Sequence, residues 1–293
     1  MKVILVTHTF FPYSVGGREK HVYDVGKVLS KRGYKVEIFT CSDSLFRYRE
    51  KRESENLVIR YFPTIHIPMV VGYYRIPLTM LYNLLKTNAD IIHVHEYFHF
   101  TTFISSIAAR IKKIPLVLTE HGYPERIGIQ ALFLKLYHKI CLPQIIFSSK
   151  KIIAVSKFIK AEILPKFNLP PEKVNVVYNG IRLTEYTKKS NVFRKKYGLE
   201  DSKIILGIGR LIKEKGFQYL IKALPTILEK IPTAKIVIIG PDHYFKKSLM
   251  KYSENLEVKN KVIFTGNVPE DMLKSAIYSS DVVVIPSFYE PFG

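Results

Sequence analysis

A fork-shaped guanidinium and an ammonium beside glycines can hold a diphosphate. The run Leu206-Gly207-Ile208-Gly209-Arg210-Leu211-Ile212-Lys213-Glu214-Lys215-Gly216 offers that pairing. An apolar strand ends there in glycine, and Arg210 and Lys215 project from the loop before a helix. Two cations so placed can also offset charge that builds on a departing phosphate. A merely solvated basic loop would not require glycines beside the cations. Upstream, Gly16-Gly17 follows the first apolar run and opens a helix. Glycines let a backbone approach an anion while helix N-terminal amides point at it. The spacing is not the G-x-G-x-x-G dinucleotide fingerprint, and a plain tight turn explains the pair equally well.

Thr119-Glu120-His121-Gly122 closes another apolar run, at the end where open α/β sheets bind ligands. His121 there can donate to a substrate hydroxyl or move a proton; a structural loop histidine is the alternative. Glu290 also follows a strand, where a carboxylate can accept from sugar hydroxyls. His93-Val94-His95-Glu96 holds metal-ligand types, and residues two apart on a strand share a face. No third ligand is evident along the chain, so no metal site is expected.

These residues need a frame. β-rich runs fall at residues 2–7, 35–40, 57–62, 90–94, 115–119, 151–155 and 174–178, then at 203–208, 234–239, 261–265 and 281–285. Several, such as Ile236-Val237-Ile238-Ile239, are apolar on both faces, which suits a parallel sheet covered by helices. Between them the period becomes helical. Over residues 18–32, Val22, Val25, Val28 and Leu29 share a face, and Arg32-Gly33 supplies the stop. Over residues 216–228, Phe217, Leu220, Ile221 and Leu224 group likewise. Strand-helix alternation twice over predicts an α/β chain of two Rossmann-like domains. The boundary is placed at the turn Asn179-Gly180, before the polar stretch 184–191, giving domains 1–180 and 181–293.

Composition excludes several classes. The chain has 293 residues, 47% of them hydrophobic, which is incompatible with disorder. Cys41 and Cys141 are its only cysteines, too few and too far apart for a disulfide framework. The start shows no secretory leader, and no uncharged apolar run reaches the roughly 18–20 residues of a membrane-spanning helix. Residues 63–85 come nearest but are broken by Pro68, Gly72 and Pro77. A cytoplasmic protein, soluble or peripheral at the inner face of a membrane, is the expectation. The formal charge of +20 is spread over both halves and suits an anionic partner. Nucleic acid is not the expected one, because the 19 tyrosines and 18 phenylalanines lie mostly in apolar core patterns.

Taken together, the residues resemble family 4 glycosyltransferases. The resemblance rests on Gly16-Gly17-Arg18-Glu19, Glu120-His121-Gly122, Ala154-Val155-Ser156, Asn179-Gly180, Gly209-Arg210 with Lys215-Gly216, Gly266 to Pro269, and Pro286-Ser287 with Glu290-Pro291-Phe292-Gly293, in order along almost the whole chain. It implies the GT-B fold, two Rossmann-like domains with the reaction in the cleft between them. It also implies sugar transfer from a nucleotide-sugar with retention of configuration. Carried over by position, Gly16 and Gly17 approach the donor phosphates or the acceptor, and His121 contacts the transferred sugar. Arg210 and Lys215, beside Gly209, bind the diphosphate and stabilise the leaving group; Glu290 holds sugar hydroxyls, and backbone around Val268 meets the base. No cofactor is expected beyond the nucleotide-sugar, which is the substrate, and no metal at the leaving group.

The resemblance has two departures. The family pairs the first glutamate with a second one eight positions on, whereas here the chain ends three residues after Glu290. A second domain truncated at its C-terminus is therefore expected, and with it a fragment that only binds the nucleotide-sugar becomes the alternative to an enzyme. The family's common Asp two positions after the hinge Asn-Gly is Arg182 here. For the acceptor, a glycan or a lipid-linked molecule is expected. Residues 63–85 and 126–151, the latter with Leu132, Phe133, Leu136 and Ile140 interleaved with Lys135 and Lys139, suit an anionic membrane face. Ordinary buried helices are the alternative for both segments.

Overall fold

Runs of Val, Ile and Leu pair side by side because their branched side chains pack well on a pleated surface covered by helices. In the computed structural model, which describes residues 1–14, 16–68, 73–122, 129–181 and 190–292, they build two separate sheets. Gly72, Arg126, Arg182, Gly293 and most of the 184–191 stretch lie outside the described residues. The chain divides into two units, Met1–Gly180 with Phe292 and Ile181–Pro291.

The first unit runs β1 (Lys2–Val6), α1 (Gly17–Lys31), β2 (Lys35–Cys41), β3 (Arg49–Ser54), β4 (Leu57–Phe62), β5 (Thr64–Pro68), β6 (Tyr73–Pro77), α2 (Met80–Lys86), β7 (Ile91–His95), α3 (Phe100–Lys112), β8 (Leu116–Glu120), α4 (Ile129–Ser148), β9 (Ser149–Ala154), α5 (Lys157–Lys166) and β10 (Val174–Val176). Its main sheet has the order β10-β9-β8-β7-β1-β2-β4-β3, parallel throughout except that β3 runs antiparallel to β4. The chain steps outward from β1 through β2 to β4, then returns to add β7 on the other side of β1. That reversal opens a crevice beyond the carboxyl ends of β1 and β7.

Val3, Leu5, Val36, Ile38, Leu57 and Ile59 form one core of this unit with Phe10, Val22 and Tyr61. Complete burial of each such side chain is worth about 1.5–3 kcal/mol. Helix α1 meets the sheet through Val22, Gly26 and Ser30, while Val28, expected on that face, is exposed. Gly26 explains the rotation: a Cβ there would stand 3.3 Å from both Ile38 Cδ1 and Leu57 Cδ1, so the helix lies close to the strands along the glycine. Among the described residues of 63–85 there is no long helix. They form the β5–β6 antiparallel pair and short α2, with Pro68 and Pro77 at strand ends where a missing N–H is tolerated.

The second unit runs α6 (Val192–Tyr197), β11 (Lys203–Ile208), α7 (Phe217–Lys230), β12 (Ala234–Ile239), α8 (Lys246–Asn255), β13 (Val262–Gly266), α9 (Glu270–Ser279) and β14 (Val282–Val283). Its sheet order is β13-β12-β11-β14, all parallel, with the same reversal between β11 and β14. Strand β12 alternates as a doubly covered strand must. Ile236 and Ile238 pack with Phe217, Leu220, Ile221 and Leu224, whereas Val237 and Ile239 pack with Phe193, Leu206 and Ala276. Asp281 ties β14 to β11: its Oδ2 accepts from the Ile204 amide at 2.8 Å and from Arg194 at 3.0 Å, and its Oδ1 from Lys203 at 2.9 Å.

Candidate active site

Each reversal point collects charged and polar side chains. In the first unit, Arg18 sits in the first turn of α1 and bonds Thr9 Oγ1 and Glu19 Oε1, both at 2.6 Å. Its other terminal nitrogen pairs with Glu96 Oε2, just past β7. Glu19 is buried and also accepts from Thr9 at 2.6 Å and Ser14 at 2.9 Å. A Cβ on Gly16 would stand 2.7 Å from Glu19 Oε2, so the glycine makes room for this carboxylate, while one on Gly17 would meet open space. Glu96 accepts from His99 Nε2 at 2.8 Å.

The electrostatics follow from that packing. Burial works against ionisation of Glu96, but Arg18 and the His99 bond outweigh it and hold the carboxyl well below its ordinary range. Burial also opposes the Arg18 charge, and Glu96 and Glu19 overcome it, raising Arg18. Glu120 has no such cation. Burial first, then the Glu96 charge, push it well above the usual carboxylate range. Its Oε2 accepts from the Tyr97 amide at 3.1 Å.

His121 follows directly after β8 and is part-exposed, with its Nε2 3.1 Å from His95 Nδ1. Burial lowers His121 to about 3 and His93 to about 4; burial and its imidazole neighbours take His95 well below the ordinary histidine value. Near pH 7 these rings are neutral, each a donor at one nitrogen and an acceptor at the other.

In the second unit, the loop after β11 carries Gly209, Arg210 and Lys215, and the segment after β14 carries Glu290. Lys215 Nζ pairs with Glu290 Oε2 at 2.7 Å, and a Cβ on Gly209 would meet the Lys215 stem at 3.4 Å. Gly216 holds the two segments together. Its φ is +71°, and a Cβ there would run into the Pro286 carbonyl. The Phe288 amide donates to the Glu214 carbonyl at 2.9 Å, and the Phe288 ring meets Tyr219 edge to face. Arg210 is exposed, with no ion pair among the described residues. Val268 turns its side chain into the Phe193 core, which leaves its backbone as its means of contacting a ligand.

The structure therefore brings Lys215 and Glu290 into contact, and gathers Gly16, Gly17 and His121 at one reversal point. Sequence reasoning singled out neither Arg18 nor His21 as a site residue, and took Glu96 only as a metal-ligand type beside His93 and His95. The motif Gly-Gly-Arg-Glu contained the first of these, but a cation on a helix face reads as solvated surface until the fold sets two carboxylates around it.

Comparison with known proteins agrees with this architecture. Residues 15–185 match the family model described as Glycosyltransferase Family 4, and residues 189–293 match that of Glycosyl transferases group 1. The chain belongs to glycosyltransferase family 4. Among the family's curated members, the uncharacterized glycosyltransferase MJ1607 of Methanocaldococcus jannaschii is 33% identical over all of this chain and 76% of its own length. The alpha-monoglucosyldiacylglycerol synthase of Streptococcus pneumoniae is 27% identical over all of this chain and 67% of its own. The fold matches Anabaena Alr3699/HepE, solved in complex with UDP, with a TM-score of 0.77 at 19% identity over all of this chain and 76% of that one. Both units are thus Rossmann-like and of the GT-B type, as family 4 requires.

Proposed function

We propose that this chain moves a sugar from a nucleotide-sugar, with retention at the anomeric carbon, to a lipid-linked or glycan acceptor. The observation that carries the reading is the Lys215–Glu290 pair beside Gly209 and exposed Arg210, at the ligand edge of the second sheet. Breaking the bond between the sugar and the diphosphate collects negative charge on the leaving oxygen and positive charge on the ring. Arg210 and Lys215 oppose the first, so they lower the barrier rather than merely tightening the ground state. Glu290 holds Lys215 in place until the donor arrives, and then has oxygens to accept from sugar hydroxyls. In the first unit His121, neutral and part-exposed, offers one hydrogen bond to the transferred sugar; Gly17 leaves backbone open to an approaching donor or acceptor. The base lies against backbone near Val268. Retention comes from the family resemblance, and HepE's complex with UDP makes uridine donors the first to try.

Helix α4 supports an acceptor at an anionic membrane. Leu132, Leu136 and Ile140, four residues apart on one face, are all more than half exposed, with exposed Lys135 and Lys139 beside them. Phe147, 73% exposed, lies under the Arg110 guanidinium at 5.1 Å. A stripe of apolar side chains edged by cations matches the headgroup boundary of an anionic leaflet. The Phe133 side chain lies outside the described residues. No helix among the described residues is long and apolar enough to cross a membrane, and a relative named for glucosyldiacylglycerol synthesis points to the same kind of acceptor.

The test is a panel of nucleotide-sugars scored for donor hydrolysis and for transfer to lipid extract in anionic vesicles. Arg210→Ala and Lys215→Ala are expected to lower turnover on the order of a hundredfold or more with an unchanged circular dichroism spectrum. Equal turnover would refute the leaving-group role. Saturable nucleotide-sugar binding without sugar release would mark a binding fragment instead, and co-sedimentation indifferent to anionic lipid would end the membrane part.

A further inference from the structure

Three imidazoles converge in the first unit where sugar transfer uses only one of them. His21 lies on α1 one turn past Gly17, His95 closes β7, and His121 follows β8. Adjacent parallel strands and the helix after β1 bring them to one point. One ring nitrogen from each lies within 4.8 Å of the other two, and His95 Nδ1 stands 3.1 Å from His121 Nε2. Two tetrahedral ligands around a zinc-sized ion stand roughly 3.3 Å apart, given metal–nitrogen bonds of about 2.0–2.1 Å.

His95 supplies an independent sign. It is fully buried, and its Nε2 has no hydrogen-bond partner. If His95 donates from Nδ1 to His121, Nε2 is a bare lone pair sealed from water. If His121 is the donor, His95 carries an orphaned Nε2 hydrogen. Either tautomer leaves a buried polar atom unsatisfied, at a real cost. A cation between His95 Nδ1 and His121 Nε2 takes a lone pair from each and replaces their hydrogen bond, with the His95 ring hydrogen then on Nε2.

We propose that His21, His95 and His121 form a three-imidazole site for a borderline divalent transition metal of the Zn2+, Co2+ or Ni2+ class, with its fourth position open. An all-nitrogen set selects those ions over Mg2+ and Ca2+, which require oxygen. The neighbouring group His8, Glu96 and His99 is less suited, because Arg18 already bridges Glu96 Oε2. The proposal departs from the expectation of no metal site, which rested on the want of a third ligand in the His-Val-His-Glu run; the strand order brings His21 and His121 beside His95. It uses none of the groups proposed to take up the leaving charge, Arg210 and Lys215. His121 is shared with the proposed sugar contact, so the test reads the metal directly and not through turnover.

Untagged protein, stripped with chelator, is titrated with Co2+ and followed by visible absorption. One equivalent per chain is expected, with the d–d bands of a four-coordinate ion, displaced by Zn2+. His21→Gln, on a part-exposed helix position, is expected to weaken Co2+ binding on the order of tenfold or more, while His138→Gln, outside the cluster, leaves it unchanged. His121→Gln gives the same reading if the first variant does not fold. Absence of the bands at a large excess of Co2+, or Gln variants that bind as tightly as the parent, would overturn the site. Either result leaves the transferase reading standing.

Discussion

Removing the Arg18 guanidinium tests whether the charge cluster at the first reversal point is held together as described. Arg18→Ala deletes the 2.6 Å bond to Glu19 and the pairing with Glu96, and leaves a buried and a part-buried carboxylate without the guanidinium that joined them. Each charge-assisted bond is worth about 1.5–3 kcal/mol, so the loss is about 3–5 kcal/mol, the range for a buried pair stripped of one partner. The loss also depends on pH with a definite sign. Folded Glu96 in the parent lies below its unfolded value, so its contribution is complete above an unfolded pKa of about 4.3 and fades as pH falls below it. In the variant, burial without Arg18 raises the folded carboxyl, so acid relieves it. The difference between the two proteins should therefore be largest near about pH 7.5 and shrink toward about pH 4.5. Urea denaturation followed by circular dichroism and tyrosine emission reads it, as the chain has no tryptophan. A cost under about 1 kcal/mol at neutral pH, or one equal at both pH values, would refute the argument.

Three further outcomes are expected. Gly216→Ala, at φ +71°, should cost about 1–2 kcal/mol for the left-handed backbone plus displacement of the Pro286 carbonyl, read as a lower melting temperature and weaker nucleoside diphosphate binding in calorimetry. Gly26→Val should cost about 1–3 kcal/mol by overpacking against Ile38 and Leu57; thermal melts that match the parent would show that the helix can lift at no cost. His93 and His121, lowered to about 4 and about 3, should stay neutral in nitrogen-detected NMR from about pH 8 to about pH 5. Because the folded values are depressed, the stability they confer is present above about pH 6.5 and is lost as pH falls below it, so a ring titrating near the ordinary value would contradict the packing.

The strands easiest to read from sequence were those whose chemistry is local. Ile236 to Ile239 announce themselves by unbroken apolar character and Leu57 to Phe62 by β-branched and aromatic residues around the one charge of Arg60, and both form strands at the expected residues. Strand β3 does not: Arg-Glu-Lys-Arg-Glu-Ser has no apolar alternation, and it is a strand because β4 offers it an antiparallel partner. Val28 fits the helical stripe by period, but a glycine two residues earlier decides which side touches the sheet. The site divides the same way. Lys215, His121 and the paired glycines stand in recognisable local motifs, whereas the contact of Lys215 with Glu290 spans 75 positions. His21 and His121 become neighbours of His95 only through strand order, which no spacing rule encodes.

The two sheets finish differently along one side. The first ends in β3, an exposed row of arginine, lysine and glutamate whose charges another chain would have to desolvate to add on. The second ends in β14, where Val282, Val283 and nearby Ile285 are 47%, 40% and 56% exposed. Neutralising the β3 row, for example with Arg49→Val and Lys51→Val, should therefore open the first unit to intermolecular strand pairing.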